Sequence, residues 1–344
     1  MKLSNYKPIP ECVVKETSVN TPKFKVFDFH THMGKLLLGD DYALRYETGA
    51  YVEKLKSMGV VGIVNLDGFW GHDTDAMNQK IAGYEDFIHT FMWIDTSIID
   101  DPEFTSKTKA AILEGIGKGM VGIKMWKDIS LGQIDQNGNY IRTDDPRLDI
   151  IYEMAAKYRL PVLIHIADPT AFFKPLNDTN ERYEEISENP DWSFSDDKFM
   201  TFAELMEMQD RMIALHPETV FVIAHVGSYA ENLEHVSERM RRYPNMYVDV
   251  SARIAELGRV PYSSRKFFLE FQDRILFGTD CTPLDVGAHH PIIYRMAETD
   301  DEYFPYSDEI VGGQGRWNIY GLNLPDEVLE KFYYKNAARI LNLD

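Results

Sequence analysis

The feature that most constrains the fold is a regular alternation of short apolar runs with helical patterns. Eight runs are rich in β-branched and aromatic residues and end at Gly, Pro, Asn or Asp, as buried strands do. They span residues 24–32, 60–66, 86–94, 120–126, 160–166, 220–226, 246–251 and 275–280. Helical patterns occupy residues 50–58, 75–83, 106–117, 145–158, 202–215, 230–243, 263–272 and 325–341. Eight strands that alternate with eight helices predict an α/β fold, the (β/α)8 TIM barrel.

The length of the chain adds two long connections to this barrel. A typical barrel needs about 250 residues, whereas this chain has 344, and we interpret residues 1–344 as one domain. Long insertions are predicted at 168–200, after the fifth strand, and at 281–324, after the eighth. Both leave the carboxyl ends of strands, where barrel active sites lie, so they are predicted to form binding loops. Surface elaboration or a subunit contact is the alternative.

An open, doubly wound sheet is the alternative fold for an alternating pattern of this kind. That fold requires a glycine-rich fingerprint directly after the first strand. The first strand of this chain ends instead in H-T-H-M-G. The barrel is therefore the favoured prediction.

Composition narrows the class of partner and the compartment. The chain has 36 Lys and Arg against 55 Asp and Glu, a net charge of −19, which argues against nucleic acid and anionic membranes. A small anionic substrate remains compatible, because a local pocket can be positive. Two cysteines exclude a disulfide framework and fit the cytoplasm. No apolar run approaches the roughly 20 residues of a membrane span, and no signal peptide is visible; one already removed is the alternative.

Histidines and one aspartate lie at the ends of the predicted strands. His30 and His32 are two positions apart on the first strand, so that both side chains share one face. His165 and His225 lie near the ends of the fifth and sixth strands, and Asp280 ends the eighth. Burying a polar side chain in an apolar run costs free energy unless the side chain has a hydrogen-bond or metal partner. Because all five belong to the same end of the predicted barrel, they indicate a metal site.

The motifs D-F-H-T-H, I-H, A-H-V-G and F-G-T-D, with the closing helix Y-Y-K-N-A-A-R-I-L-N-L, resemble the amidohydrolase superfamily. The resemblance covers residues 28–341 and is closest to the amidohydrolase 2 branch, which includes aminocarboxymuconate-semialdehyde decarboxylase-like enzymes. It implies that His30, His32, His165 and Asp280 ligate one divalent metal, with Zn²⁺ expected. It also implies that His225 acts as general base or electrostatic stabiliser beside a metal-bound water. Asp280 is a second acceptor for the proton of that water.

Lys124, which ends the fourth strand, leaves the number of metals open. Some amidohydrolases carbamylate a lysine at this position and use it to bridge two metals, in which case His225 would ligate the second. In the single-metal interpretation, which we adopt, the cation of Lys124 binds a carboxylate or an oxyanion of the substrate. A lysine that reaches out of the barrel end into solvent is the third possibility.

Three further side chains follow strands and are assigned to substrate binding. Arg253, after the seventh strand, is suited to clamp a carboxylate, or it forms an ion pair with Asp249 or Glu256. Trp70 follows the second strand and Trp126 the fourth, so both are predicted to wall the pocket. Ordinary packing is the alternative for the two tryptophans.

The predicted function is metal-dependent hydrolysis. Metal-activated water would attack an ester, lactone or amide carbon of a small, anionic organic substrate. His225 and Asp280 would handle protons, while Lys124 and Arg253 would orient the substrate. A metal-dependent decarboxylase on the same scaffold is the alternative, since the same ligands serve both reactions. A barrel that binds a ligand without catalysing a reaction is a third hypothesis. For the oligomeric state, the resemblance alone suggests a homodimer.

Overall fold

Eight parallel strands form one sheet whose spatial order is the order of the sequence, in a computed structural model that describes residues 6, 9–307 and 313–343. Each strand pairs in parallel with the next one along the chain. The strands are β1 Val26–Thr31, β2 Val60–Asn65, β3 Ile88–Trp93, β4 Gly122–Met125, β5 Val162–Ile164, β6 Phe221–Ile223, β7 Met246–Asp249 and β8 Ile275–Leu276.

The last strand returns to the first through the residues that follow β8. Three backbone hydrogen bonds make this connection: Phe29 N to Phe277 O at 2.9 Å, Asp280 N to His30 O at 2.9 Å, and His32 N to Cys281 O at 3.0 Å. The sheet is thereby a nearly closed barrel. With helices between the strands, this confirms the predicted (β/α)8 architecture.

A principal helix follows each strand. These helices are α1 Thr48–Ser57, α2 His72–Ile81, α3 Phe104–Gly117, α4 Asp149–Tyr158, α5 Phe202–Leu215, α6 Leu233–Arg242 and α7 Pro261–Glu270, and α8 comprises Asp326–Glu330, the π-helix Lys331–Lys335 and Asn336–Leu341. The local sequence explains where two of these helices begin. Thr201 and Glu204 form a capping box at α5, and Pro261 opens α7 at a position where the missing N–H costs nothing.

Shorter helices lie in the connections between the strands and the principal helices. They are Lys35–Leu38, Tyr42–Arg45, Asp128–Leu131, Tyr183–Glu188, Ala224–Gly227, Ile254–Leu257 and His290–Glu298, with 3-10 turns at Thr96–Ile98, Pro146–Leu148, Thr170–Phe173 and Pro190–Trp192. In the part of the chain that the structure describes, no helix is both long and apolar enough to cross a lipid bilayer.

The apolar core lies in two layers, because successive side chains of a strand point to opposite faces. Along β2, Val64 joins an inner cluster while Ile63 packs outward toward the helices. The inner cluster is small and is contributed mainly by strand residues: Phe27, Phe29, Val64, Leu66, Phe91, Leu163, Val222, Ala224 and Leu276, with Ala337 of α8. These side chains fill the barrel interior and leave its carboxyl end free for polar groups.

The two long connections each contain ordered structure. The segment between β5 and α5 includes helix Tyr183–Glu188, and a buried ion pair joins its Arg182 to Glu256 in the connection between β7 and α7. The segment between β8 and α8 includes helix His290–Glu298 and an antiparallel bridge between Phe304 and Ile319. Residues 308–312 of the predicted 281–324 insertion lie outside the described residues.

Candidate active site at the mouth of the barrel

A cavity of about 710 Å³ lies at the carboxyl ends of the strands. The residues singled out from the sequence all line it, although they span positions 30 to 280. They are His30, His32, Trp70, Lys124, Trp126, His165, His225, Arg253 and Asp280. Side chains from both long connections, including Phe172, Trp192 and Gln314, complete its wall.

Five polar side chains meet at one side of this cavity. Ligand atoms of His30, His225 and Asp280 all lie within 4.8 Å of one another, as a metal ion would require. His32 and His165 flank this set: Nε2 of His32 is 3.3 Å from Oδ1 of Asp280, and Nδ1 of His165 is 3.3 Å from Nε2 of His225. Imidazole nitrogens and a carboxylate are ligands suited to Zn²⁺ and similar divalent ions. These residues could therefore hold a metal.

His30 lies between two carboxylates. Its Nδ1 is 2.9 Å from Oδ2 of Asp249, and its Nε2 is 3.2 Å from Oδ1 of Asp280. Burial by itself lowers the pKa of His30, but the two carboxylates outweigh burial and raise it to about 9. A neutral imidazole has a single N–H. With that proton on Nδ1 toward Asp249, a positive charge on the Nε2 side, either a second proton or a metal ion, is favoured by Asp280. A metal fits this arrangement, with Asp249 accepting from Nδ1 and orienting the ring.

His32 repeats the arrangement with a different carboxylate. Its Nδ1 is 3.1 Å from Oδ1 of Asp67, whose Oδ2 accepts the backbone N–H of Gly34 at 2.7 Å. The imidazole ring packs on Trp126 with 4.9 Å between ring centroids. Burial lowers the pKa of His32, and Asp67 acts against burial so that the net shift is upward. Asp67 thus fixes the ring in an orientation that presents Nε2 to the cavity.

His225 sits in an unusual backbone conformation directly after β6. The turn Ala224–Gly227 is left-handed at His225 (φ 59°, ψ 48°), a conformation that is costly for a residue with a side chain. Its backbone N–H donates to Oδ1 of Asp249 at 3.0 Å, and its Nδ1 is 2.9 Å from the carbonyl oxygen of Ser251. Burial, and then the neighbouring His165, lower its pKa well below the usual value. His225 is therefore neutral at neutral pH.

Asp280 also has a positive φ, 67°, and its backbone N–H is held by the carbonyl of His30 at 2.9 Å. Burial by itself would raise the pKa of this carboxyl. The neighbouring His30, followed by His32, holds the pKa well below its usual range. Asp280 is therefore ionised and can act as a ligand or as a proton acceptor.

His165 faces a carboxylate on the side opposite His225. Its Nε2 is 3.3 Å from Oδ1 of Asp168, and Oδ2 of Asp168 binds Nζ of Lys127 at 2.5 Å. Burial lowers the pKa of His165 to about 4, so that the ring is neutral and one nitrogen has a free lone pair. Neutrality is a requirement for metal ligation.

Lys124 points into the cavity and does not reach solvent, since only 1% of the residue is exposed. Its Nζ finds no hydrogen-bond acceptor among the described residues and lies 4.5 Å from the ring centre of Trp126. Burial lowers the pKa of this amine to about 8, although nearby carboxylates oppose the shift. A buried amine without an acceptor is ready to bind an anionic group.

Arg253 is also buried and faces the cavity. Its Nη1 donates to the carbonyl of Ala252 at 2.8 Å, and no carboxylate of the described residues lies within 4.0 Å of its guanidinium. The proposed ion-pair partners are engaged elsewhere, Asp249 with histidine and Glu256 with Arg182. The ion-pair alternative for Arg253 is therefore not formed.

The two tryptophans differ in their surroundings. Trp126 is wedged between His32 and Trp93, with centroid distances of 4.9 and 5.2 Å. Trp70 is 44% exposed, and its ring centroid lies 6.2 Å from that of Trp93. Both contribute to the cavity wall, Trp126 next to the polar cluster and Trp70 toward solvent.

Sequence reasoning missed the carboxylates that lie beside the histidines. Asp67, Asp168 and Asp249 contact His32, His165 and His30 in turn. Each of these aspartates ends or follows a strand, as the histidines do, and this shared position was the available signal. Their pairing could not be read from the sequence because partners such as Asp249 and His30 are 219 positions apart.

Comparison with solved structures identifies proteins of the same fold. The 2,6-dihydroxybenzoate decarboxylase from Rhizobium superposes with a TM-score of 0.59 at 15% identity, covering 93% of this chain and 99% of the other. An amidohydrolase from Burkholderia multivorans with bound zinc has a TM-score of 0.54 at 13% identity, with 93% and 100% covered. Amidohydrolase 2 from Bifidobacterium longum subsp. infantis has a TM-score of 0.50 at 13% identity, with 94% and 100% covered. At identities this low, the superpositions show a shared fold and nothing more.

No curated protein sequence matches the chain. A family model described as Amidohydrolase, of the amidohydrolase 2 type, matches residues 97–343. That match spans more than half of the chain and includes His165, His225 and Asp280. The barrel, the polar cluster at its mouth and this match together establish that the chain belongs to the amidohydrolase family.

Proposed function

We propose that this amidohydrolase is a metal-dependent hydrolase, in which activated water attacks an ester, lactone or amide carbon of a small, anionic organic substrate. The observation that carries the proposal is the meeting of His30, His225 and Asp280 within 4.8 Å, two proposed metal ligands beside the proposed base, in a cavity shared with two cations. Those cations, Lys124 and Arg253, make no ion pair with any carboxylate of the described residues.

The residues proposed to hold the metal are His30, His32, His165 and Asp280, with one Zn²⁺ as the expected ion. The orientation of His30 and His32 by carboxylates supports this assignment, because such partners are typical of metal-ligating imidazoles. Bound there, the metal would lower the pKa of a water molecule to roughly 7 and polarise the substrate carbonyl. Two metals bridged by carbamylated Lys124 are the alternative, in which His225 is also a ligand.

His225 is proposed as the general base. The carbonyl of Ser251 lies 2.9 Å from Nδ1 and selects the tautomer with its proton on Nδ1. Nε2 therefore keeps a lone pair that faces the cluster and can take a proton from the attacking water. Asp280 is ionised and adjacent, so it can accept the proton next and deliver it to the leaving group.

Lys124 and Arg253 are proposed to orient the substrate. A buried ammonium without an acceptor gains strongly from a substrate carboxylate or a developing oxyanion. The planar guanidinium of Arg253 can bind a carboxylate through two parallel hydrogen bonds. Trp126 and Trp70 would cover the flat or apolar part of the substrate between these charges.

The test combines metal analysis with an activity screen. The purified protein is assayed for bound metal, and then with and without chelator against a panel of carboxylated lactones, esters and amides, following acid release and carbon dioxide release separately. The proposal predicts bound metal and chelator-sensitive acid release. Protein that binds no metal and an activity that chelator does not affect would overturn it. Carbon dioxide release without hydrolysis would assign the decarboxylase alternative.

A matched pair of variants separates substrate binding from metal binding. Lys124→Gln removes the buried cation, whereas Lys107→Gln removes a surface cation of α3 that pairs with Asp101. We expect the first variant to raise KM for anionic substrates with its metal content intact. The second should behave as the unmodified protein. A loss of one of two metals in Lys124→Gln would instead support the bridged, two-metal alternative.

A further inference from the structure

A second group of metal-ligating side chains lies in the loop directly after β8. Ligand atoms of Cys281, Asp285 and His289 are all within 4.8 Å of one another. None of the three residues is among those that line the cavity of the candidate active site. The mechanism proposed above uses none of them.

The loop that carries these residues is preformed. Cys281 forms a parallel bridge with Thr31 of β1, which fixes one end of the loop. The backbone N–H and the hydroxyl of Thr282 both donate to Oδ1 of Asp285, at 2.5 and 2.7 Å, and thereby hold this carboxylate. His289 stands immediately before helix His290–Glu298, which fixes the other end.

Gly287 sets the path of the chain between the ligands. Its φ is +91°, a conformation that residues with side chains rarely adopt, and a Cβ there would lie 3.1 Å from Sδ of Met58. The loop is therefore packed against the end of α1 in one conformation. Three ligands at spacings of four residues in a fixed loop can bind a cation with little loss of conformational entropy.

The donor types select a class of metal. A sulfur, an imidazole nitrogen and a carboxylate oxygen form a set that suits Zn²⁺ and disfavours Ca²⁺ and Mg²⁺, which prefer oxygen alone. Cys281 is buried and Asp285 is exposed, so the site has a closed side and a side open to water. Three protein ligands with water in a fourth position satisfy tetrahedral zinc.

We propose that Cys281, Asp285 and His289 form a second zinc site, separate from the metal site of the reaction. Binding forms a metal–sulfur bond and releases the thiol proton to solvent. Because Cys281 adjoins Asp280, a metal here would clamp the chain that carries Asp280. The occupancy of this site does not depend on the reaction that the enzyme catalyses.

Cobalt provides a readout specific to this site. The donors of the active-site cluster are all nitrogen and oxygen, so a thiolate-to-cobalt charge-transfer band can come only from Cys281 or from Cys12, the other free cysteine. Metal-free full-length protein is titrated with Co²⁺ in a Cys12→Ser background, and then with Zn²⁺ as competitor. We expect a charge-transfer band whose full intensity corresponds to one thiolate-bound cobalt per chain, in addition to any cobalt bound at the active site, and which disappears when zinc is added.

Two variants and a matched control complete the experiment. Cys281→Ser should abolish the band and lower the metal content by one, and His289→Ala should weaken cobalt binding at least tenfold. His72→Ala, at an exposed histidine on α2, should change neither. Absence of the band in the Cys12→Ser protein would overturn the proposal, as would a band that survives in the Cys281→Ser protein. The circular dichroism spectrum verifies that each variant is folded.

Discussion

Oδ2 of Asp249 lies 2.9 Å from Nδ1 of His30, across 219 positions of sequence. The other carboxylate oxygen accepts the backbone N–H of His225 at 3.0 Å. One side chain of β7 therefore fixes a histidine of β1 and the turn after β6 relative to each other. Both histidines belong to the cluster that could hold a metal, so Asp249 sets the geometry of that cluster.

Asp249→Asn is expected to weaken metal binding by about 10- to 100-fold, since the amide no longer provides a charged acceptor for Nδ1 of His30. The measurement is a titration of metal-free protein with Zn²⁺ followed by metal analysis. Asp300→Asn, at an exposed residue paired with Lys15, is the control and should keep full affinity. Equal affinities in the two variants would show that Asp249 does not support the site.

His225→Asn is expected to retain the metal and to lower kcat by about 10²- to 10⁴-fold, because the general base is lost while the ligands remain. Metal content and kcat are measured on the same preparation. Loss of half of the bound metal would contradict the single-metal site and support a second ion bound by His225.

His165→Ala is expected to lose metal and activity together. Removing a ligand leaves a site with one fewer protein donor, which binds the metal less tightly. The metal content after dialysis, compared with that of the unmodified protein, tests this outcome. A variant that keeps its metal would show that His165 serves His225 as a neighbour and is not a ligand.

The affinity for anionic substrates is expected to fall as the pH rises through about 8. Lys124 has a pKa of about 8 because burial disfavours its charge, so it is cationic below that pH and neutral above it. The carboxylates that act on it are Asp280, Asp249, Asp67 and Asp128, and all favour the cation. KM measured between pH about 7 and about 9.5 should rise at the alkaline end. In Lys124→Arg, whose guanidinium stays charged, the rise should disappear.

The barrel could be predicted from the sequence because strand signals are local. The predicted run 246–251 corresponds to β7 at Met246–Asp249, and the predicted helix 202–215 has the bounds of α5. Strand ends were harder to place. The run 220–226 was predicted as a single strand, but β6 stops at Ile223 and His225 adopts a left-handed conformation. Asp249 holds this turn from another strand, and the apolar pattern contains no trace of that contact.

The histidines at the strand ends were identifiable for a similar reason. A polar residue in a run that must be buried is visible without knowledge of its neighbours, as at His165 and His225. The positions of Lys124 and Arg253 in the cavity were also expected. For Arg253 the sequence left an ion pair with Asp249 or Glu256 open, because its absence depends on both carboxylates being engaged by other side chains.

The sequence by itself determined the alternation of strands and helices and the polar residues at the strand ends, because hydrophobic periodicity and residue type are properties of short segments. Tertiary structure decided which carboxylate orients which histidine, that three donors meet within 4.8 Å, and that Cys281, Asp285 and His289 converge beside them. These relationships depend on strand register and on positive φ angles at His225 and Asp280. Both are set by packing and hydrogen bonds between residues that are distant along the chain.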